Sequence, residues 1–198
     1  MMDAMIGAVI LAAGKSSRMG AFKPMLRLGE ESAARRIVKT LKAGGAQVVL
    51  VVTGRQAEEL RQHLEDLDVC FVHNEAYETS QMLDSVKLGL GQLKDSCNRI
   101  LITPVDAPLF SEDTVRRLIG VKDDVAIPVC GGTDGHPVCI SREAAGRILL
   151  YEGGGGLRGA MHNCGLHICR MDVDDEGVLT DMDTPADYQR LLERIKEA

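Results

Sequence analysis

The feature that most constrains the fold is the run from Ile6 to Ala13, which contains no polar side chain and breaks at Gly14. Its length and its glycine boundary are typical of a strand buried on both faces of a parallel sheet. Lys15, Arg18 and Lys23 follow this predicted strand, and no Asp or Glu lies among them. The segment therefore predicts an anion site at the carboxyl end of one strand.

The loop after this strand is rich in hydrogen-bond donors. Gly14 and Gly20 allow the backbone to turn sharply and expose N–H groups, while Ser16 and Ser17 add hydroxyl groups. Two common phosphate loops do not fit: a P-loop would need glycine in place of Val9, and no G-x-G-x-x-G pattern is present here. We therefore interpret the segment after the strand as a polyphosphate-binding loop, with an ordinary charged surface turn as the alternative.

The charge distribution restricts the class of partner. The 198-residue chain has a net charge of −6, yet residues 1 to 42 hold eight Lys or Arg against three Asp or Glu. A duplex-binding protein needs a broad basic face, so we expect no nucleic-acid partner. The length and the 45% hydrophobic content indicate one domain, residues 1–198, with an aliphatic core.

The composition also favours a cytoplasmic protein without a membrane partner. The six cysteines include no C-x-x-C pair, and we expect them to be reduced. The apolar run near residue 4 is preceded by Asp3 and followed by cations, the reverse of a secretory signal. No stretch approaches the roughly 18 consecutive apolar residues of a membrane span.

Strand and helix patterns alternate after the loop. Strands are predicted at 6–13, 47–53, 69–72, 99–105, 125–129, 138–140 and 166–173. Helices are predicted at 31–43, 55–64, 82–94, from a Ser111 cap, from a Ser141 cap to about 149, and from a Thr184 cap to about 196. This alternation predicts a single-domain, three-layer α/β/α sandwich with a mostly parallel, Rossmann-like sheet.

Asp106 follows the predicted strand 99–105 and lies between Pro104 and Pro108, which restrict its backbone. In open α/β sheets ligands bind beyond the carboxyl ends of the strands, so Asp106 and the cationic loop are expected to face one site. Ser111 already caps the next helix, which leaves Asp106 free of a capping role. We therefore interpret Asp106 as a functional carboxylate.

A second acidic segment precedes the last predicted helix. Thr184, Pro185 and Asp187 suit the N-cap, the first and the third positions of that helix. Asp183 lies directly before this start and Asp181 two positions earlier. Either carboxylate could serve as a cap, although Thr184 already provides one.

Several of these segments resemble one enzyme family. The residues Leu11-Ala12-Ala13-Gly14, Ser16, Arg18-Met19-Gly20 and Lys23 resemble the loop of MobA-like nucleotidyltransferases, which have a glycosyltransferase-A-like fold, and of the molybdenum cofactor cytidylyltransferases in particular. The segments 104–108, 135–138 and 181–187 are similar to that family's D-M-P, G-H-P-V and D-x-D-T-P-x-D elements, with Ala107 in place of Met. The resemblance covers nearly the whole chain.

The resemblance implies a set of site residues. Nucleotide contacts are expected from Leu11, Ala12, Ala13, Gly14, Lys15, Ser16, Arg18, Lys23, Gln81 and Ser85, and acceptor contacts from His136 and Arg158. A Mg²⁺ ion is expected at Asp106 and Asp183, with Asp181 in support, and Lys23, Arg18 and Asp106 are expected to act in catalysis. For Gln81 and Ser85 the alternative is helix capping, and for His136 a purely structural role.

The resemblance also implies the reaction. CMP from CTP would move to a phosphorylated small-molecule acceptor, with molybdopterin favoured, and pyrophosphate would leave. A molybdoenzyme-maturation protein is an implied partner. The glycine-rich turn at 153–158 lacks the family's acidic residue and Ala, which bears on acceptor specificity, and sugar-phosphate or polyol-phosphate acceptors are the alternative within the class.

Other classes rest on weaker patterns. Gly154, Gly156 and Gly159 satisfy G-x-G-x-x-G, but a helical pattern precedes them where an NAD(P)-dependent oxidoreductase needs a strand. A non-catalytic nucleotide sensor would keep the loop and need no metal carboxylates. The His and Cys residues at 162–169 have the wrong spacing for zinc, and 172–183 resembles an EF-hand loop but follows a strand pattern.

Overall fold

The computed structural model describes residues 5–14 and 19–197, and its elements alternate largely as predicted. The strands are β1 (Ile6–Ala12), β2 (Arg27–Leu28), β3 (Glu31–Ser32), β4 (Val48–Thr53), β5 (Cys70–His73), β6 (Arg99–Pro104), β7 (Val125–Cys130), β8 (Thr133–Asp134), β9 (Val138–Ser141) and β10 (Ile168–Asp172). The α-helices are α1 (Ala33–Ala43), α2 (Ala57–His63), α3 (Met82–Leu93), α4 (Glu112–Gly120), α5 (Arg142–Leu149), α6 (Gly156–Asn163) and α7 (Pro185–Glu197). Short 3₁₀ turns lie at Lys23–Met25, Glu65–Leu67 and Glu176–Leu179.

The main sheet has the strand order β10-β7-β9-β6-β1-β4-β5, and β8 pairs with β7. β1 lies between β4 and β6 and is parallel to both, which explains why all seven of its residues are buried. β9 is antiparallel to β6 and β7, so the sheet is mixed. The prediction of a mostly parallel sheet between helical layers is confirmed.

The alternation of side chains along β1 builds the two cores of the sandwich. Ala8 and Ile10 point to one face, where residues of α1, α2 and α4 pack against them. Val9 and Leu11 point to the other face, which α3, α5 and α6 cover. A strand at the centre of a three-layer sandwich must be apolar on both faces, which is what the uninterrupted run in the sequence indicates.

The α7 helix docks on a small two-stranded sheet formed by β2 and β3. Its capping residues behave as predicted, because the Asp187 N–H donates to Thr184 Oγ1 at 3.2 Å and Asp187 Oδ2 accepts from the Thr184 N–H at 2.8 Å. Leu28, Met182 and Leu191 form the buried centre of this contact. The contact places the residues before α7 next to the cleft described below.

Some boundaries differ from the prediction. The helix expected from residue 31 begins at Ala33, because residues 31–32 form β3 and Ser32 is the cap. The helix expected from residue 55 begins at Ala57, because Gln56 has a left-handed backbone with φ of 56°. The loop expected at 130–137 contains β8, and the glycine-rich turn continues into α6, which the sequence did not indicate.

Within the described residues, no helix is both long and apolar enough to cross a bilayer.

Candidate functional site

A cleft of about 280 Å³ opens where β1 and β6 end. Its walls come from residues 11–14 after β1, from 104–106 after β6, and from the 77–85 segment that leads into α3. Lys23 and Pro24 close a further side. The cleft thus lies beyond the carboxyl ends of neighbouring parallel strands, as expected for a ligand site in this class of sheet.

The antiparallel strand β9 brings a second loop to the same edge of the sheet. Val138, at the start of β9, is paired with Ile102 near the end of β6. Because the two strands run in opposite directions, the residues before Val138 lie beside those after β6. This register places His136 at the same edge of the sheet as Asp106.

Three charged side chains meet at the mouth of the cleft. Lys23 Nζ donates to Asp106 Oδ2 and to Asp183 Oδ1, at 2.9 Å each. The Lys23 side chain is only 11% exposed, while those of Asp106 and Asp183 are 23% and 36% exposed. The Met182 N–H donates to the Asp106 carbonyl at 2.9 Å, so the two acidic segments are also joined through their backbones.

The contacts of Lys23 add protein partners that the sequence did not predict for it. Sequence alone left Asp106 and Asp183 without a structural partner and assigned Lys23 to the phosphates of a ligand. The structure brings all three together, so in the free protein the ammonium group of Lys23 compensates the two carboxylates.

The cluster perturbs the protonation of its members. Burial acts to lower the pKa of Lys23, but the hydrogen bonds and charges of Asp183 and Asp106 outweigh it, so the pKa of Lys23 is raised. Burial raises the pKa of Asp181, and the negative charges of Asp183 and Asp106 raise it further. Lys23 therefore stays charged at neutral pH, and Asp181 lies within the field of the carboxylate pair.

The carboxylate pair suits a divalent cation. Two carboxylate oxygens from separate segments already converge on one cationic group, the ammonium of Lys23. Carboxylates are the hard oxygen ligands that Mg²⁺ prefers, and Mg²⁺ is commonly held by one or two of them together with phosphate oxygens and water. Asp106 and Asp183 therefore fit the metal that the resemblance implies, with Asp181 close by.

A buried amide, that of Asn74, is hydrogen-bonded to two hydroxyl groups in one wall of the cleft. Asn74 follows β5, is 3% exposed, and donates its backbone N–H to the Thr53 carbonyl at 2.8 Å. Its Nδ2 donates to Ser80 Oγ at 2.9 Å and to Ser85 Oγ at 3.0 Å. Both hydroxyl groups belong to residues that line the cleft. Asn74 and Ser80 were not recognised from sequence, although an Asn directly after a strand at this edge is a usable signal.

The predicted contact residue Gln81 lies at the start of α3 and is exposed beside the cleft. Asp84 Oδ2 accepts from the Gln81 backbone N–H at 2.8 Å, so the Asp84 carboxylate serves as one cap of this helix. Ser85 is buried to 5% exposure and also lines the cleft. The structure thus brings both predicted residues to the cleft.

A second cavity, of about 200 Å³, adjoins the first, and Leu11, Met82 and Pro104 line both. Most of its other walls are apolar and come from Ile102, Ile127, Val138, Leu157 and Met161. Both predicted acceptor residues, His136 and Arg158, line this cavity.

The polar groups of the second cavity are few. His136 Nδ1 is buried and has no hydrogen-bond partner in the described part of the chain. Burial lowers the pKa of His136 despite the opposing charge of Asp106, so the imidazole is neutral at pH 7. The Arg158 side chain is 75% exposed, and Asp134 nearby is held by Arg170 through contacts of 2.9 Å and 3.2 Å.

Of the other predicted contacts, Leu11, Ala12, Ala13, Gly14 and Lys23 all line the first cleft. Lys15, Ser16 and Arg18 lie outside the described residues.

The glycine pattern that suggested a dinucleotide site has a packing explanation. It follows α5 and not a strand. A Cβ atom at Gly159 would lie 2.2 Å from the Gly154 carbonyl oxygen, so the backbone itself requires glycine there. Among residues 5–14 and 19–197, no three His, Cys, Asp or Glu side chains are grouped to hold a metal, so Asp181 does not join Asp106 and Asp183 as a third ligand in this arrangement.

Residues 8–168 match the model of the MobA-like NTP transferase domain. The molybdenum cofactor cytidylyltransferase of Escherichia coli is 27% identical over 194 residues, which are 97% of this chain and 98% of the relative.

Solved structures agree with the match. A nucleotidyl transferase from Methanothermobacter superimposes with a TM-score of 0.85 at 24% identity, covering 98% of both chains. Rv0371c of Mycobacterium tuberculosis gives 0.84 at 26% identity over 98% of this chain and 100% of its own, and its complex with manganese gives 0.76 at 24% identity over 96% and 99%. The chain therefore belongs to the MobA-like NTP transferase family and is a nucleotidyltransferase.

Proposed function

We propose that this nucleotidyltransferase moves CMP from CTP to a phosphorylated acceptor, with molybdopterin favoured, and that Mg²⁺ is held by Asp106 and Asp183. The observation that carries the proposal is the meeting of Lys23, Asp106 and Asp183 at the mouth of a cleft beyond two parallel strands. The similarity to the Escherichia coli cytidylyltransferase along nearly the whole chain supports CTP and molybdopterin as substrates.

The nucleotide would lie in the first cleft, along the end of β1. Residues 11–14 line this cleft, and Lys23 lies at its mouth. Lys15, Ser16 and Arg18, which the loop sequence predicts as phosphate contacts, extend the donor set in our proposal. Cations and N–H groups at a strand end are the groups that bind a triphosphate.

The base would contact Ser85 and Gln81, which face the same cleft from the start of α3. Rv0371c has been solved in complex with manganese, which supports a divalent cation as the cofactor of this chain. When bound, the cation supplies neutralisation of the charge on the phosphate oxygens.

The transfer itself requires alignment more than proton transfer. An oxygen of the acceptor phosphate attacks the α-phosphorus, a new P–O bond forms, and the bond from the α-phosphorus to the bridging oxygen breaks. Pyrophosphate leaves with the electron pair of that bond. The acceptor phosphate has a second pKa of about 6 and is already ionised at pH 7, so no general base is needed. Lys23, freed from its carboxylates, would stabilise the charge that develops on the phosphates.

The second cavity supports a ring system as the body of the acceptor. Its walls are mainly aliphatic and methionine side chains, which match a flat ring better than the hydroxyl groups of a sugar or polyol. His136 Nδ1 and the Arg158 guanidinium would contact its polar groups. A cytoplasmic site of action and a molybdoenzyme-maturation partner complete the proposal.

The proposal is tested by pyrophosphate release in single turnovers, with CTP, GTP, UTP and ATP each combined with molybdopterin and with sugar phosphates. Asp106→Asn and Asp183→Asn should each slow release by roughly 10² to 10⁴, because each removes a charged metal ligand while keeping its shape. The double variant should be scarcely slower than the worse single variant, since both act through one ion.

Asp95→Asn is the matched control, because Asp95 is exposed and pairs only with Lys94 among the described residues. Its rate should equal that of the unmodified protein. Rates near normal in Asp106→Asn, or additive losses in the double variant, would mean that the two carboxylates do not share a catalytic cation.

A further inference from the structure

The hydrogen bonds of Asn74 determine the direction of two hydroxyl groups in the first cleft. Asn74 Oδ1 accepts from the Ala76 N–H at 3.0 Å, and this contact identifies which end of the amide is oxygen. The Nδ2 atom therefore faces Ser80 Oγ at 2.9 Å and Ser85 Oγ at 3.0 Å. An amide NH₂ can only donate, and its two hydrogens match these two partners.

Each serine oxygen thus accepts from Asn74 and must direct its own hydrogen elsewhere. In the part of the chain that the structure describes, neither hydroxyl donates to a protein acceptor. Both residues line the cleft, which is the space open to their hydrogens. A single buried amide consequently makes both hydroxyl groups donors toward a ligand.

We propose that Asn74 is a positioning residue that fixes Ser80 and Ser85 as paired donors and so selects cytosine among the bases. This inference rests on the proposed function of the same cleft. Cytosine carries two adjacent acceptors, N3 and O2, whereas uracil and guanine carry an N–H group at the corresponding ring position. A site with fixed donors leaves that N–H unsatisfied, and such mismatches are the strongest source of discrimination between similar ligands.

The test is Asn74→Asp, which keeps the shape of the side chain and removes its donors. The carboxyl group then accepts from the serine hydroxyl groups, which turn their hydrogens away from the cleft. Calorimetric titration with CTP and with UTP, in MgCl₂ and without acceptor, measures the effect on binding alone. The preference for CTP over UTP should fall by about tenfold or more, since each lost hydrogen bond typically weakens binding severalfold.

Asn163→Asp is the matched control. The Asn163 amide also donates to two partners, Tyr151 Oη at 3.2 Å and the Gly159 carbonyl at 2.8 Å, but it lies on α6 away from the cleft. The same chemical change there should leave the nucleotide preference unaltered.

A second route covers the case in which a buried carboxyl group at position 74 prevents folding. Ser80→Ala and Ser85→Ala each remove one donor while Asn74 stays, and each should lower the preference for CTP severalfold. In a folded Asn74→Asp background the serine changes should add little, because the donors are already turned away.

These binding measurements distinguish a wrong role for Asn74 from a wrong assignment of the nucleotide site. An unchanged preference in the serine variants, or an equal loss of CTP and UTP binding in Asn74→Asp, would overturn the inference while leaving the nucleotide site intact. A wild-type protein that binds none of the four nucleotides would overturn the proposed function and the inference with it.

Discussion

Replacing Lys23 by Met tests the charge balance at the mouth of the cleft, because methionine fills much of the same space without the ammonium group. Lys23 donates two charge-assisted hydrogen bonds of 2.9 Å, and each such bond contributes about 1.5 to 3 kcal/mol. The Asp183 side chain is 36% exposed, so water replaces part of that contribution. We expect a loss of about 2 to 4 kcal/mol in the free energy of unfolding in EDTA.

The same variant should bind divalent cations more tightly. In the free protein the ammonium group lies between the two carboxylates, where we propose that the metal binds, so it competes with the metal. Without it, Mg²⁺ or Mn²⁺ should restore part of the lost stability, by RT ln(1 + [M]/Kd) for a free ion concentration [M]. Removing a positive charge from the nucleotide site is thus predicted to raise the affinity for a cation.

The assay is urea unfolding followed by circular dichroism, in EDTA and over a MgCl₂ titration. Lys39→Met is the control, because Lys39 pairs with Glu31 at an exposed position and should contribute less than about 1 kcal/mol. Two results would show that Lys23 does not compensate the carboxylates and compete with the metal. One is a Lys23→Met protein as stable as the wild type in EDTA, and the other is a variant whose free energy of unfolding does not change with the Mg²⁺ concentration.

Two further predictions concern the scaffold. Gly89→Ala should cost about 1 to 3 kcal/mol in thermal or urea unfolding, because its Cβ would lie 2.5 Å from Val9 Cγ1, whereas Gly91→Ala on the same helix meets no atom within 4 Å and should gain up to about 1 kcal/mol. Burial and the charge of Arg35 lower the pKa of His63, so the unfolded chain binds the proton more readily. The contribution of His63 to stability should therefore be complete well above its unfolded pKa of about 6.5 and be lost as the pH falls below that value, and His63→Gln should flatten this decline.

The sequence predicted helices and strands correctly where neighbouring residues alone determine the pattern. The helix caps at Ser111, Ser141 and Thr184 each follow from one residue and its neighbours, and all three side chains make the expected bonds. β1 was recognisable because a strand buried on both faces has no polar positions. The α6 helix could not be recognised, because the glycines at 153–156 and 159 have no helical preference. The start of this helix depends on Gly155, whose φ is 85°.

The site could be predicted only in part, for the same reason. Sequence placed Asp106 at a strand end and Asp183 at a helix start, and these positions are local properties. Lys23 bonds to two carboxylates that lie 83 and 160 positions further along the chain. No periodic pattern in the sequence indicates contacts over such separations. The role of Asn74 depends on the path of the loop that follows it, so it became visible only with the hydrogen bonds.

The docking of α7 on the β2 and β3 hairpin determines when during synthesis the site is complete. A ribosome makes Lys23 and Asp106 well before Asp183, and domains generally acquire structure from the N-terminal side as they emerge. A nascent chain that ends before Asp181 would hold Lys23 against Asp106 alone, without the second carboxylate and without the buried contact of Met182 and Leu191. We expect such a ribosome-bound chain to fold its sheet but to bind Mn²⁺ only after α7 has emerged, which stalled complexes of increasing length would reveal.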